Sequence, residues 1–395
     1  MPASPSTARA INDRSALELL QREGPLTAGQ LKQLTGLSRP TVADLVDRLT
    51  AAGLIAVVGE AGEQRRGPNA KLYGIVADRA HLAALDVRTE GVAVVVADLL
   101  GRALAEASLP IDAASGTGAA VEQAVAFVER VVKEAGADRL HTVGIGAPGL
   151  IDPASGELRD SVSLPEWHRR LVAALQERLP EARVSVENET NLAALAEQRD
   201  GAAHDRDTFV LLWLGHGTGA AVVLDGVLRR GASGGTGEIG FLPVPGTSNV
   251  PSATDCGGGF HSLAGSAAVV ELAEEHGLGV PETGSEPTAA AVVRHAVAGL
   301  PDAERAGRFL DAFADRLAIG VASVAAVLDP GCVVLGGEVG QAGGARLAAR
   351  VGERVRRMSP LPTEVRAGAL GGGAVLRGAL LTARDRAQDD LFAPR

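Results

Sequence analysis

Cysteine is scarce in this chain. The two residues, Cys256 and Cys332, among 395 cannot build a disulfide framework, and free thiols fit a reducing cytoplasm. Lysine is nearly absent while arginine is abundant. That pattern looks like a codon bias, so arginine content by itself is no evidence for nucleic acid. No apolar run approaches the roughly 20 residues that cross a bilayer. The opening stretch MPASPSTARA lacks the apolar region of a signal peptide. A cytoplasmic protein without a membrane segment is expected.

What is present is a chain with 46% apolar residues, long enough for two or three domains and a large core. The formal charge is −10 and unevenly spread: residues 1–80 carry about +2, the remainder about −12. A mildly basic head on an acidic body suits a small DNA reader attached to a sensor.

In the head, a helical pattern over Ala10 to Arg22 places Ile11, Leu17 and Leu20 on one side and stops at Gly24-Pro25. Thr27 can cap a short helix with Leu31 and Leu34 inward. Gly36-Leu37 then makes a tight turn, and Ser38 is an N-cap with Pro40 in the first turn. Val42, Leu45, Val46 and Leu49 follow at the i, i+3, i+4, i+7 spacing of a buried face. Two strands, Leu54 to Val58 and Lys71 to Val76, flank a basic tip at Arg65 and Arg66. An ordinary helical bundle would share the apolar pattern. The order of helices, tight turn, capped helix and two-stranded wing reads instead as a winged helix-turn-helix. Ser38, Arg39, Pro40 and Thr41 begin the face that would enter a groove, with Arg48 further along the helix. Arg39 and Thr41 suit base edges, Arg65 and Arg66 phosphate or the minor groove.

The body begins at His81. Leu82 to Asp86 and Val92 to Ala97 read as a hairpin, followed by a helix over Ala119 to Ala135. The strand His141 to Ile145 runs into Gly146-Ala147-Pro148-Gly149, and Arg183 to Glu187 into Asn188-Glu189-Thr190-Asn191. Further on, the strand Thr208 to Leu214 enters the turn Gly215-His216-Gly217-Thr218-Gly219. A second apolar run then reaches Asp225-Gly226, a hairpin signal. Glycines spaced like this let backbone N–H groups converge on an anion, although G-x-G-T-G alone is also a plain tight turn. A second glycine cluster follows, with a single carboxylate, Glu238. Helices are expected over Ser266 to His276, Thr288 to Ala298, Asp302 to Leu328 and Ala374 to Arg384, and strands at Cys332 to Leu335 and Val365 to Leu370.

The run LGHGTG…GEIGF, the phrases GAPG and NETN, and the head's TGLSRPTV and RLTAAGLI together resemble the ROK family of repressors, open reading frames and sugar kinases. The resemblance covers nearly the whole chain. It implies a winged helix-turn-helix (1–80) before a two-lobed α/β domain of the actin and hexokinase, ribonuclease H-like, type. Lobe 1 would span 81–200 together with 373–395, and lobe 2 would span 201–372. It also implies a ligand cleft holding Pro148, Asn188, Glu189 and Glu238, a homodimer or homotetramer, and a pseudo-palindromic double-stranded operator.

The chain departs from the family's kinases at several points. Their D-x-G-G-T phosphate turn is Asp86-Val87-Arg88-Thr89-Glu90 here. Side chains at 88 and 89 stand where a phosphate needs bare backbone, and Glu90 would repel it by roughly 4 kcal/mol at about 4 Å and an effective dielectric of about 20. Glu189 replaces the aspartate that takes the proton from the attacking hydroxyl. Asn188 and Asn191 match the pattern but also suit helix capping. Glu338 stands in the adenosine-side turn where glycine is usual. Phe241, Thr254, Cys256 and His261 fall at the family's zinc-ligand positions, and two of the four cannot bind metal. Leu263 falls at a sugar-binding carboxylate. No metal, no cofactor and no catalytic residue is expected. A DNA-binding regulator with an inactive kinase-like sensor, responsive to a sugar or sugar phosphate, fits best. The alternatives are a regulator with another ligand or a protein partner, and a working ATP-dependent sugar kinase.

Overall fold

The computed structural model describes residues 5–393 apart from 62–69, 160–163, 248, 253, 281–285 and 301. Arg65 and Arg66 therefore lie outside the described residues.

The head consists of α1 (Pro5–Glu23), β1 (Leu26–Thr27), α2 (Ala28–Thr35), α3 (Arg39–Ala51), β2 (Ile55–Ala61) and β3 (Ala70–Ile75). Local chemistry sets its boundaries. Thr27 and Gln30 form a reciprocal capping box at the start of α2, and Gly36, at φ 70°, ends that helix in the left-handed region. Ser38 caps α3, whose buried stripe is Val42, Leu45, Val46 and Leu49. The three strands form a small antiparallel sheet in the order β1-β3-β2. Ile11 and Leu34, read from spacing as inward, are 56% and 50% exposed; the packed stripe of α1 starts only at Ala16, with Leu17 and Leu20.

The first lobe is built from β4 (His81–Arg88), β5 (Gly91–Asp98), β6 (Ala103–Pro110), α4 (Thr117–Glu134), β7 (Leu140–Ala147), α5 (Glu166–Arg178), β8 (Arg183–Asn188) and α6 (Glu189–Asp200). Its sheet order is β6-β5-β4-β7-β8, antiparallel through β4 and parallel from β4 to β8. The second lobe holds β9 (Phe209–Leu214), β10 (Thr218–Leu224), β11 (Val227–Arg229), the helices α7 (His261–Ala264), α8 (Ser266–Glu275), α9 (Thr288–Val297) and α10 (Ala303–Leu328), then β12 (Cys332–Gly336), α11 (Gly337–Met358) and β13 (Glu364–Ala367). Its sheet, β11-β10-β9-β12-β13, repeats the same order and the same switch from antiparallel to parallel. The lobes are thus structural duplicates. Each buried strand feeds two cores: on β9, Phe209, Leu211 and Trp213 face one hydrophobic cluster and Val210, Leu212 and Leu214 the other. That is the expected pattern for a strand covered on both faces.

The last helix, α12 (Ala374–Leu391), returns to the first lobe and packs against α6, β4 and β7. Two glycines permit the approach. A Cβ on Gly378 would stand 2.0 Å from the carbonyl oxygen of Leu192, and one on Gly144 2.6 Å from that of Ala379. Strands β6 and helices α5 and α11 have no counterpart in the reading from pattern. α11 in particular carries the glycines Gly340, Gly343 and Gly344, and kinks at Gly344.

Backbone contacts of this kind do not relax easily. Gly378→Ala should destabilise the protein by about 1–3 kcal/mol, the usual cost of overpacking. The check is urea denaturation: the midpoint should fall while the slope stays constant.

Candidate functional site

In the head, Ser38, Arg39 and Pro40 are exposed at the start of α3, with Thr41 half-buried beside them. The Ser38 and Thr41 hydroxyls lie 2.8 Å apart, so both are oriented by each other and by the cap. Arg39 has no ion-pair partner among the described residues and stands exposed at the helix end that such motifs place in the major groove. Arg48 is placed differently. Its guanidinium donates to both oxygens of Asp13, at 2.6 and 3.2 Å, and pairs with Asp44. It ties α3 to α1.

In the body, the carboxyl ends of the parallel strands of both sheets face one cleft, where open α/β sheets place their ligands. Arg88 closes the end of β4. Its Nε donates to Asp86 Oδ2 at 2.8 Å, its Nη1 to Glu338 Oε1 at 2.9 Å and its Nη2 to the Gly372 carbonyl at 2.7 Å. The guanidinium thus spans from the first lobe to the second, using the planar fork that suits arginine to several acceptors. His168 on α5, 1% exposed, holds the turn from below through Nε2 and the Arg88 carbonyl at 3.2 Å. Burial depresses that imidazole to about 4, so it is neutral at physiological pH. Glu90, expected to supply the repulsion here, lies exposed at the turn; the carboxylates that meet Arg88 are Asp86 and Glu338.

At the end of β8, Asn188 caps α6. Its Oδ1 accepts from the N–H groups of Thr190 and Asn191 at 2.9 and 3.2 Å, while its Nδ2 donates to the Gly149 carbonyl at 3.0 Å. Asn188 therefore joins the loop containing Pro148 to the α6 cap, which uses most of its hydrogen-bonding capacity. Asn191 is 4% exposed and donates to Glu187 Oε1 at 3.0 Å. Glu187 in turn receives Arg230 from the second lobe at 2.6 Å. Glu189, at the first turn of α6, sits among Asp86, Glu338 and Glu238. Burial, followed by the charge of Asp86, pushes its carboxyl up to about 8, with Arg88 opposing. Burial likewise raises Asp86, which is 2% exposed and keeps one carboxyl oxygen without a hydrogen-bond partner. Glu238 stays exposed at the cleft mouth.

A family model described as ROK family matches residues 82–386, more than half of the chain. The chain belongs to the ROK family. A second model, of the MarR family, matches residues 12–67, so the ROK body carries a winged helix-turn-helix in front of it. The chain is 32% identical over 213 residues to a glucokinase of Halalkalibacterium halodurans, covering 51% of this chain and 62% of that one. It is 24% identical over 339 residues to a putative xylose repressor of a Caldicellulosiruptor species, covering 83% of each. Among solved structures, a ROK family transcriptional regulator described as a homolog of the Escherichia coli MLC protein superposes with a TM-score of 0.74. That alignment covers 98% of both chains at 21% identity, a likeness of fold.

Set within the ROK fold, other sequence departures take definite places. Phe241 is 37% exposed, and Leu263 is 8% exposed in the packed part of α7. Cys256 and His261 are both half-buried, and no group of three or more His, Cys, Asp or Glu is arranged to hold a metal among the described residues. No helix among them is long and apolar enough to cross a membrane. Pattern reading missed Glu187 and Glu197. Glu197 is 1% exposed and accepts backbone N–H groups from Ala202, Ala369 and Leu370 at 2.7–3.1 Å. Its signal, a lone glutamate on the apolar face of a helix, cannot be distinguished in sequence from a solvated one.

Glu189 generates a pH prediction. Its folded value of about 8 lies above the ordinary 4.5, so the folded state binds the proton more tightly. The associated stability is fully present below the ordinary value and is lost as pH rises through about 8. The melting temperature should therefore fall between about pH 5 and 8 more steeply in the wild type than in Glu189→Gln. Parallel pH profiles for the two proteins would mean that Glu189 is already ionised at neutral pH.

Proposed function

We propose that the protein is a DNA-binding transcriptional regulator whose ROK body senses a ligand and does not transfer phosphate. The observation that carries this reading is Arg88. In a chain with a DNA-reading head, its guanidinium fills the phosphate turn and is held by Asp86, Glu338 and Gly372. A polyphosphate would have to displace it and then face two carboxylates. Glu189 adds to the argument, because it stands where the family's kinases carry an aspartate, and its extra methylene shifts the carboxylate by roughly an ångström, a displacement that can cost on the order of 100-fold in rate. The repressor name of the xylose relative points the same way, while the glucokinase name keeps the kinase as the alternative to be tested.

In this reading residues 1–80 form the DNA-binding domain. Residues 81–200 with 373–395 form lobe 1, and 201–372 form lobe 2. Ser38, Arg39, Pro40, Thr41 and Arg48 contact DNA, joined by Arg65 and Arg66 of the wing. A homodimer or homotetramer binds a pseudo-palindromic operator in the cytoplasm and controls carbohydrate-related genes. Pro148, Asn188, Glu189 and Glu238 line the effector site, which takes a sugar or sugar phosphate without metal or cofactor. Phe241 and Leu263 favour a second reading, in which the effector is not a plain hexose.

Genome-wide mapping of bound DNA, followed by footprinting, tests the regulator. Protected half-sites should lie about 10 bp apart or a multiple of it. Arg39→Ala should cost about 1–3 kcal/mol and relax base preference; unchanged affinity and preference would remove Arg39 from the reading face. With ATP, Mg²⁺ and a panel of hexoses, the purified protein should form no sugar phosphate, and sustained turnover would overturn the choice of regulator over kinase. Calorimetry with sugars and sugar phosphates should give weak binding for plain hexoses. Tight hexose binding that survives Glu238→Ala would place the effector elsewhere.

A further inference from the structure

Arg88 crosses the cleft. It is rooted on β4 of the first lobe beside Asp86, and its two remaining donors reach Glu338, at the start of α11, and the carbonyl of Gly372, just before α12. In a two-lobed protein such a fork does more than block a phosphate. It supplies the cross-cleft charge contact that a bridging anion would otherwise make. At the base of the cleft, Glu197 pins the segment at 369–370 by backbone N–H groups, so the connection between the lobes is fixed at one end and latched at the other.

The head, meanwhile, is not hung on a free linker. Arg14 of α1 pairs with Asp389 near the end of α12 at 2.6 Å. Gln388 donates both to Gln21 of α1, at 2.9 Å, and to the carbonyl of Leu99, at 3.0 Å. The buried side chains of the head join those of the first lobe and α12, Ala387 and Phe392 included, in a cluster that continues past α6 to Phe209, Leu211 and Trp213 of the second lobe, so it is the polar ties of α12 to α1 that mark the head off with lobe 1. α12 is itself clamped on β7 and α6 by the close approaches at Gly144 and Gly378.

We propose that Arg88 is a built-in latch that sets the angle between the lobes, and that the DNA-reading head and lobe 1 move as one body, so that releasing the latch swings lobe 2 relative to the head. A ligand that competes for Glu338 or for the Gly372 carbonyl then changes the geometry of the head relative to lobe 2 without touching the head. The coupling is rigid-body rotation about a fixed base, and it needs no chain of altered side chains through the core.

The test is a set of distance measurements on the full chain by pulsed electron resonance, in a Cys256→Ser background with spin labels at pairs drawn from three exposed positions. These are Gln33→Cys in the head, Gln123→Cys in lobe 1 and Glu274→Cys in lobe 2. On Arg88→Ala, the lobe 1–lobe 2 distribution should shift and broaden, the head–lobe 2 distribution should shift with it, and the head–lobe 1 distribution should keep its wild-type mean. An unshifted lobe 1–lobe 2 distribution would overturn the latch. A head–lobe 1 distribution that moves would overturn the single body. Should Arg88→Ala not fold, Arg88→Lys takes its place, because a single ammonium cannot hold both Glu338 and Gly372 in the guanidinium's geometry, and the same outcomes decide. No DNA is required, so a failure of the regulator reading and a failure of the latch would be seen separately.

Discussion

One guanidinium organises the cleft. Asp86 is almost fully buried, and an isolated carboxylate there would be strongly disfavoured. Arg88 beside it makes that position tolerable, and in doing so consumes the turn in which a phosphate would lie. The remaining donors need acceptors, and the second lobe supplies Glu338 and a carbonyl. Breaking a buried ion pair by removing one partner costs about 3–5 kcal/mol. The effect here is smaller, because the Arg88 side chain is 44% exposed and water takes up part of the loss. Lysine would not serve. Its single ammonium lacks the planar set of donors that reaches three acceptors in different directions.

The same arrangement explains the state of Glu189. Arg88 is already shared between Asp86 and Glu338, so little of its charge is left to stabilise another anion nearby. Glu189 remains at the first turn of α6, a position where the helix dipole favours negative charge, yet burial and the charge of Asp86 outweigh that and raise it. A neutral carboxyl is a hydrogen-bond donor as well as an acceptor. When protonated, Glu189 can donate to an ether or hydroxyl oxygen of a ligand.

Much of this was legible in the sequence. The capped third helix of the head, the glycine turn after β9 and its Asp225-Gly226 hairpin are set by residues within a few positions of one another, and these stand where the pattern puts them. What was not legible depends on residues far apart in the chain. Arg88 and Glu338, read separately, are two departures from a phosphate-binding pattern. Across 250 positions they are one ion pair, each replacing a residue that would have served the nucleotide. Arg48 is a related case: its tie to Asp13 on another helix, at 2.6 Å, is invisible in the spacing of the recognition helix. α11 escaped notice because three glycines interrupt its period, and Ile11 was read as buried because spacing cannot tell where a helix outruns its neighbours.

Charge in the head bears on how such a protein can select its sites. Residues 1–80 hold a formal charge of only about +2, and Arg14, Arg22 and Arg48 are each paired with a carboxylate. Binding through phosphates alone scales with the number neutralised, and each neutralised phosphate steepens the salt dependence. A head of such low net charge gains little from sequence-independent attraction. In the proposed dimer, affinity then comes from base contacts and from two heads held at the correct separation. A small change in that separation then forfeits one head's contacts almost entirely, whereas a strongly basic head would stay bound through its phosphates. With weak intrinsic attraction, an interlobe angle set by the proposed Arg88 latch would be an effective control over binding.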